Sequence, residues 1–117
     1  MKINLLFLTC ANKKEADLIA KTLLRKHLVV CAKKMPVSSS FFWKGSIDKA
    51  NETLLIMESV ESNFKAIEQE VRKLHSYETF ALFTLPVSEV SSGVVKWMKE
   101  GLKFDSSNHR TGREKNF

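Results

Sequence analysis

Two stretches of this 117-residue chain repeat their apolar residues at helical spacing, and extended runs flank each of them. In the first, Ala16, Ile19, Ala20, Leu23, Leu24 and His27 share one stripe, with lysines opposite. In the second, Glu61 to Leu74, the stripe is Phe64, Ile67, Val71 and Leu74. A stripe recurring every 3.6 residues must be buried against something, and the extended runs supply a sheet. Few folds meet that demand in a chain of this length.

Ile3 to Cys10 is a nearly continuous apolar run of strand length. Asn12 stands three residues before Glu15, which resembles a capping box and predicts where the first helix begins. Leu28 to Trp43 reads as extended, with an interruption at Pro36 that suits an edge strand or a bulge. Gly45 to Asn51 supplies a turn, and Thr53 to Met57 returns as the second arm of an antiparallel hairpin. Thr79 to Leu85 is a fourth strand ended by Pro86, and Ser91 or Ser92 caps a short last helix through Val94, Val95, Met98 and Leu102. Strand, helix, strand, strand, helix, strand is the order of an α+β, ferredoxin-like βαββαβ sandwich with both helices on one face. The domain is expected to span residues 1–104, and the polar, unpatterned residues 105–117 to form a disordered tail.

Composition narrows the function by exclusion. The 44% hydrophobic content suffices for one core, and no apolar run approaches the ~18 residues of a membrane span. The apolar start is too short for a signal peptide and no small-residue cleavage site follows, so a cytoplasmic protein is expected. A net charge of +6 raises nucleic-acid binding, yet Lys13, Lys14, Lys21, Arg25 and Lys26 are interleaved with Glu15 and Asp17 and form no dense block. They read as a solvated helix face. With no Gly-rich phosphate loop and no Ser-His-Asp spacing, no catalytic motif is found.

The remaining chemistry sits at the joints between elements. His75-Ser76-Tyr77-Glu78 follows the second helix and opens the last strand, placing an imidazole, a phenol and a carboxylate together. Cys10 lies just ahead of a helix start, where the dipole favours a thiolate; a buried, inert thiol is the other reading. Cys31 lies within an apolar strand, and the two cysteines read as free thiols. Thiolate and imidazole suit copper, and Cys10, Cys31 and His75 are the set that offers them. The Phe41-Phe42-Trp43 block could stack bases, but strand alternation puts only Phe41 and Trp43 on one face, so packing in a core or interface is expected.

Six blocks carry a resemblance: Leu8-Thr9-Cys10, Leu28-Val29-Val30-Cys31-Ala32, Phe42-Trp43-Lys44-Gly45, Leu54-Leu55-Ile56-Met57, His75-Ser76-Tyr77-Glu78 and Leu85-Pro86-Val87. In that order they resemble the CutA family, the divalent-cation tolerance proteins, from about Ile3 to Leu102. The resemblance implies a homotrimer similar in architecture to the PII signalling proteins, and a link to copper and other divalent cations. Ser76 stands where the family usually has proline, Ala81 where a glutamate is common, Glu58 where a lysine is usual, and Ser46 where a charged residue is usual. The expected function is therefore a homotrimeric cytoplasmic protein of copper tolerance that binds metal weakly through Cys10, Cys31 and His75, with no cofactor beyond Cu2+ or another divalent cation. The alternative is a PII-like regulatory or scaffold trimer whose intersubunit pocket, lined by Trp43, Tyr77 and Glu78 beside His75, holds a small anionic metabolite or a partner's loop. No membrane partner is expected, and an RNA-binding module is the least favoured reading.

Overall fold

In β1 (Ile3–Cys10) every second side chain is buried: Asn4, Leu6, Leu8 and Cys10 face one way, and Ile3, Leu5, Phe7 and Thr9 the other. The structure, a computed structural model, describes residues 1–102. β1 is followed by α1 (Lys13–Arg25), β2 (Cys31–Trp43), β3 (Ser46–Val60), a 3-10 turn (Glu61–Asn63), α2 (Phe64–Leu74), β4 (Leu82–Pro86) and α3 (Val94–Leu102). The four strands lie in the order β2-β3-β1-β4, every neighbouring pair antiparallel. That is the ferredoxin-like arrangement. The expected tail, 105–117, lies outside the described residues.

The helices cover one face of this sheet. Leu6, Leu8 and Cys10 pair across to Met57, Leu55 and Thr53 of β3. All six are buried, in a core completed by Ala16, Ile19 and Leu23 of α1 and Ile67 and Val71 of α2. Three hydrogen bonds tie the α1–β2 loop beneath α2: Ser59 Oγ donates to the Leu28 carbonyl at 2.5 Å, and Asn63 Nδ2 donates to Leu28 O at 3.2 Å and to Ser59 Oγ at 3.3 Å.

Several boundaries differ from expectation for identifiable reasons. α1 ends at Arg25, and His27 leaves the apolar stripe: it adopts φ 59° and closes the helix, with Leu28 N–H donating to Leu23 O. β2 begins at Cys31 and runs unbroken through Pro36, because β2 has a neighbour on one side only and the missing N–H costs no ladder bond. The hairpin turn is not the long Gly45–Asn51 segment. Lys44 (φ 50°) and Gly45 (φ 84°) close it alone, both left-handed as a primed two-residue turn requires, so β3 starts at Ser46. The first turn of the second expected helix is a 3-10 turn, and Glu61 pairs with Lys2 at 3.7 Å. β4 covers only Leu82–Pro86, leaving 75–81 as an irregular joint.

Since β1 pairing stops at Cys10 opposite Thr53, the outer parts of β2 and β3 form a free two-stranded arm. At its end Phe42 and Ile47 pair, 78% and 68% exposed. Replacing Leu55 by alanine, at the centre of the covered face, should lower unfolding free energy by about 2–5 kcal/mol in urea titrations. The same change at Phe42 should cost a small fraction of that.

Candidate metal centre at the helix–strand joint

Asn12 caps α1, its Oδ1 accepting from Glu15 N–H at 2.9 Å. Glu15 reaches back in the reciprocal sense of a capping box, but to Ala11 N–H, which donates to Oε2 at 2.9 Å. Its second oxygen is then free to leave the helix, and Oε1 accepts from Ser76 N–H at 2.8 Å. A proline at position 76 has no N–H to give, so this bond depends on the serine that departs from the family pattern.

His75 follows the last residue of α2, and its side chain is fully buried. Nε2–H donates to the Thr9 carbonyl at 2.8 Å, while Nδ1 accepts from Tyr77 N–H at 3.1 Å. These partners assign the neutral tautomer with its proton on Nε2. The ring stacks on Phe80 at 5.3 Å between centroids, and Nδ1 lies 3.5 Å from Glu15 Oε2. Cys10 ends β1 at the same place, so its Sγ, a Glu15 oxygen and a His75 nitrogen all lie within 4.8 Å of one another.

The electrostatics of this cluster are negative. Glu15 and Glu52 are both largely buried, and among the described residues neither has a lysine or arginine ion-pair partner. Burial pushes the Cys10 thiol up to about 12, and the charges of Glu15 and Glu52 act the same way. The Tyr77 phenol also stands at about 12: burial raises it first, then its hydrogen bond to Glu52 Oε2 at 2.5 Å. Burial acts to raise Glu15 too, but the Ala11 and Ser76 hydrogen bonds outweigh it and hold the carboxyl below its usual range.

The reactive-thiolate reading of Cys10 therefore fails. Its side chain turns into the core, and the Glu15 and Ala16 N–H groups of α1's first turn go to Asn12. Cys31 is not part of the cluster. It faces Glu58, five residues along β3 from the Thr53 that faces Cys10, a separation of about 17 Å. Its sulfur accepts from Lys33 Nζ at 3.2 Å, and Lys33 also pairs with Glu58 at 2.7 Å. Trp43 sits at the arm's end, 56% exposed, six residues beyond the Val37 that faces Glu52, and so about 20 Å from the joint. Glu78 is exposed. Within one chain, Trp43, Tyr77 and Glu78 do not share a pocket with Trp43 at its wall. Glu15 and Glu52 escaped the sequence reading; the Asn-x-x-Glu spacing was the available signal for Glu15, and it pointed only to helix capping.

The fold and this cluster together define a ferredoxin-like α+β protein with thiol, imidazole and carboxylate donors at a buried joint. Residues 4–101 match the family model described as CutA1 divalent ion tolerance protein, and the chain belongs to that family. The divalent-cation tolerance protein CutA of Thermotoga maritima is 36% identical over 98 residues, covering 84% of this chain and 97% of that one. Human protein CutA is 32% identical over 95 residues, 80% of this chain and 53% of its own length. Among solved structures, the periplasmic divalent cation tolerance protein CutA of Archaeoglobus fulgidus superposes with a TM-score of 0.84 at 31% identity, covering 86% of this chain and 99% of that one. Rice CutA1 shares the fold at a TM-score of 0.85 and 23% identity, covering 90% of this chain and 97% of that one.

The periplasmic relative overturns the cytoplasmic expectation. That expectation rested on an apolar start too short for a signal peptide; the two cysteines do not restore it, because Cys10 and Cys31 lie too far apart to bridge within one chain and their free state carries no information about location.

Tyr77 is the chain's only tyrosine, which makes its ionisation readable by absorbance near 295 nm. Tyrosinate should appear around pH 12 rather than 10, and Glu52→Gln should bring it back toward 10. Because Cys10 and Tyr77 bind their protons more tightly folded than unfolded, the stability they contribute is fully present at neutral pH. It should be lost as pH climbs from about 9 to 12, seen as a falling Tm.

Proposed function

We propose that this protein acts in divalent-cation tolerance as a homotrimer that takes up a copper-class cation at Cys10, Glu15 and His75. The observation that carries the reading is the convergence of three ligand types beside a second buried carboxylate that, among the described residues, has no cationic partner. The donor set fits such an ion. Thiolate and imidazole are ligands of copper and zinc, and three protein ligands leave a position open. The Thr9 carbonyl holding Nε2–H is the usual outer support of a ligating histidine, and a cation at Nδ1 would take the place of the Tyr77 N–H that this nitrogen accepts. Since the Cys10 thiol stands at about 12, uptake must expel its proton, which weakens affinity and makes it fall as pH drops.

The trimer is supported by the other face of the sheet. Leu5, Phe7, Leu54, Ile56, Phe83 and Leu85 form its uncovered apolar side, with Phe83 67% and Leu85 52% exposed. The ladder edges of β2 and β4 are also open, and a closed ring of copies covers both liabilities at once. Phe83→Glu should therefore convert the trimer to monomers in size-exclusion chromatography with light scattering.

Native mass spectrometry of the reduced protein with one copper equivalent per chain tests the whole reading. A trimer that keeps copper is expected, with retention lost in Cys10→Ser, Glu15→Gln and His75→Ala and kept in Cys31→Ser. Copper retention that survives Cys10→Ser and His75→Ala would sink the site. The cleft reading has one observation in its favour: Trp43 is solvent-exposed at the end of an arm that reaches away from its own joint, so a neighbouring subunit's joint is where it could close a pocket. A trimer that binds no copper would favour that reading.

A further inference from the structure

The outward face of α1 is not the balanced surface expected from its sequence. Of the two carboxylates that alternate with its lysines, Glu15 turns into the joint, its side chain only 10% exposed. Asp17 is shared between Lys13 at 2.7 Å and Lys34 of β2 at 3.5 Å. On the other flank, Glu70 of α2 holds Lys26 at 3.2 Å and Lys73 at 3.5 Å. Lys14, Lys21 and Arg25 are left over: all three are exposed, and none has a carboxylate within ion-pair distance among the described residues.

Positions 14, 18, 21 and 25 recur at the helical period, so these cations form one straight stripe about 16 Å long with Leu18 inside it. Leu18 is 49% exposed, and Leu24 beside the stripe is 40% exposed. The stripe lies opposite Ala16, Ile19, Ala20 and Leu23, which pack into the core. It therefore faces away from the uncovered side of the sheet through which the trimer would form.

A row of cations around a leucine selects its partner in two respects. Three unneutralised charges attract an anion, whereas an exposed leucine among them gains only from an apolar contact. The phosphates of a nucleic acid do not offer that contact, and α1 carries no aromatic ring on which bases could stack. Width is the second constraint. Asp17 and Glu70 stand on the two flanks, so a broad anionic surface such as a bilayer would meet these carboxylates together with the cations. A single helix, packing at an axial distance of about 8–10 Å, can cover the stripe alone.

We propose that this stripe docks an acidic amphipathic helix of a partner protein, with the helix's leucine seam on Leu18 and Leu24 and its carboxylates against Lys14, Lys21 and Arg25. The surface owes nothing to the metal cluster, and metal-free protein suffices to test it.

The probe is a fluorescein-labelled peptide of repeated Glu-Ala-Leu-Glu-Glu-Leu-Glu heptads, titrated with the protein at low ionic strength and followed by fluorescence anisotropy. Saturable binding is expected, weakened about tenfold when Lys14→Gln, Lys21→Gln and Arg25→Gln are combined, and several-fold by Leu18→Ser. Removing as many charges from other exposed, unpaired positions, by Lys49→Gln, Lys96→Gln and Lys99→Gln, should leave it nearly unchanged. All these positions lie on the surface, so the variants should keep the wild-type circular dichroism spectrum. No saturable binding would overturn the proposal. So would an equal loss in both triple variants, which would reduce the effect to net charge, or undiminished binding of a peptide with serine in place of leucine. Tighter binding of phosphatidylglycerol vesicles or of a single-stranded oligonucleotide through the same three cations would overturn the partner's identity and give the stripe to a membrane or a nucleic acid.

Discussion

Everything at the functional end hangs on one buried imidazole. His75 links three segments that are remote in sequence: the end of β1 through Thr9, the joint's own backbone through Tyr77 N–H, and the start of α1 through the nearby Glu15 carboxylate. Its ring is fully buried and both nitrogens are engaged, so the joint has one arrangement rather than several. Glu15 repeats the pattern from the other side, taking one N–H from Ala11 and one from Ser76. The loop from 75 to 81 carries no ladder bonds of its own over most of its length, and these side chains stand in for them.

How much of this was legible depended on whether a feature is periodic. The covered face of β1, the stripes of α1 and α2, and hence the βαββαβ order could be read because burial alternates at 2 and at 3.6 residues. The hairpin was half legible. Gly45 marked the turn, but nothing in residues 46–52 announces that the strand resumes immediately, because these residues extend past the core and carry no core pattern. The site was legible only residue by residue. His75 and Cys10 stood out by type, whereas Glu15 looked like a capping residue and also is one. Cys31 was grouped with them by chemistry alone. The β2–β3 register, which no local pattern encodes, places it at the far end of the ladder.

Charge balance is what turns this geometry from a structural knot into a candidate site. Two carboxylates withdrawn from water, with no lysine or arginine partner among the described residues, are costly unless hydrogen bonds or a cation compensate. Three hydrogen bonds do part of this: two N–H groups for Glu15 and the phenol for Glu52. The neighbouring groups adjust as well, since both the Cys10 thiol and the Tyr77 phenol are held protonated far above their ordinary ranges. What is left over is an inward-facing negative potential at a place where sulfur and imidazole nitrogen already point.

The serine at position 76 bears on how such a site responds. A proline there would stiffen the joint covalently, by fixing φ, and its rigidity would be indifferent to what Glu15 does. The serine leaves φ free and stiffens the joint through its N–H to Glu15 instead. Rigidity of the joint and the charge of Glu15 are thereby coupled: whatever competes for that carboxylate, a proton or a cation, also loosens the strap that holds 76 in place. Proline would have made the joint a fixed wall of the cluster. With serine the wall is held by a hydrogen bond to one of the cluster's own carboxylates.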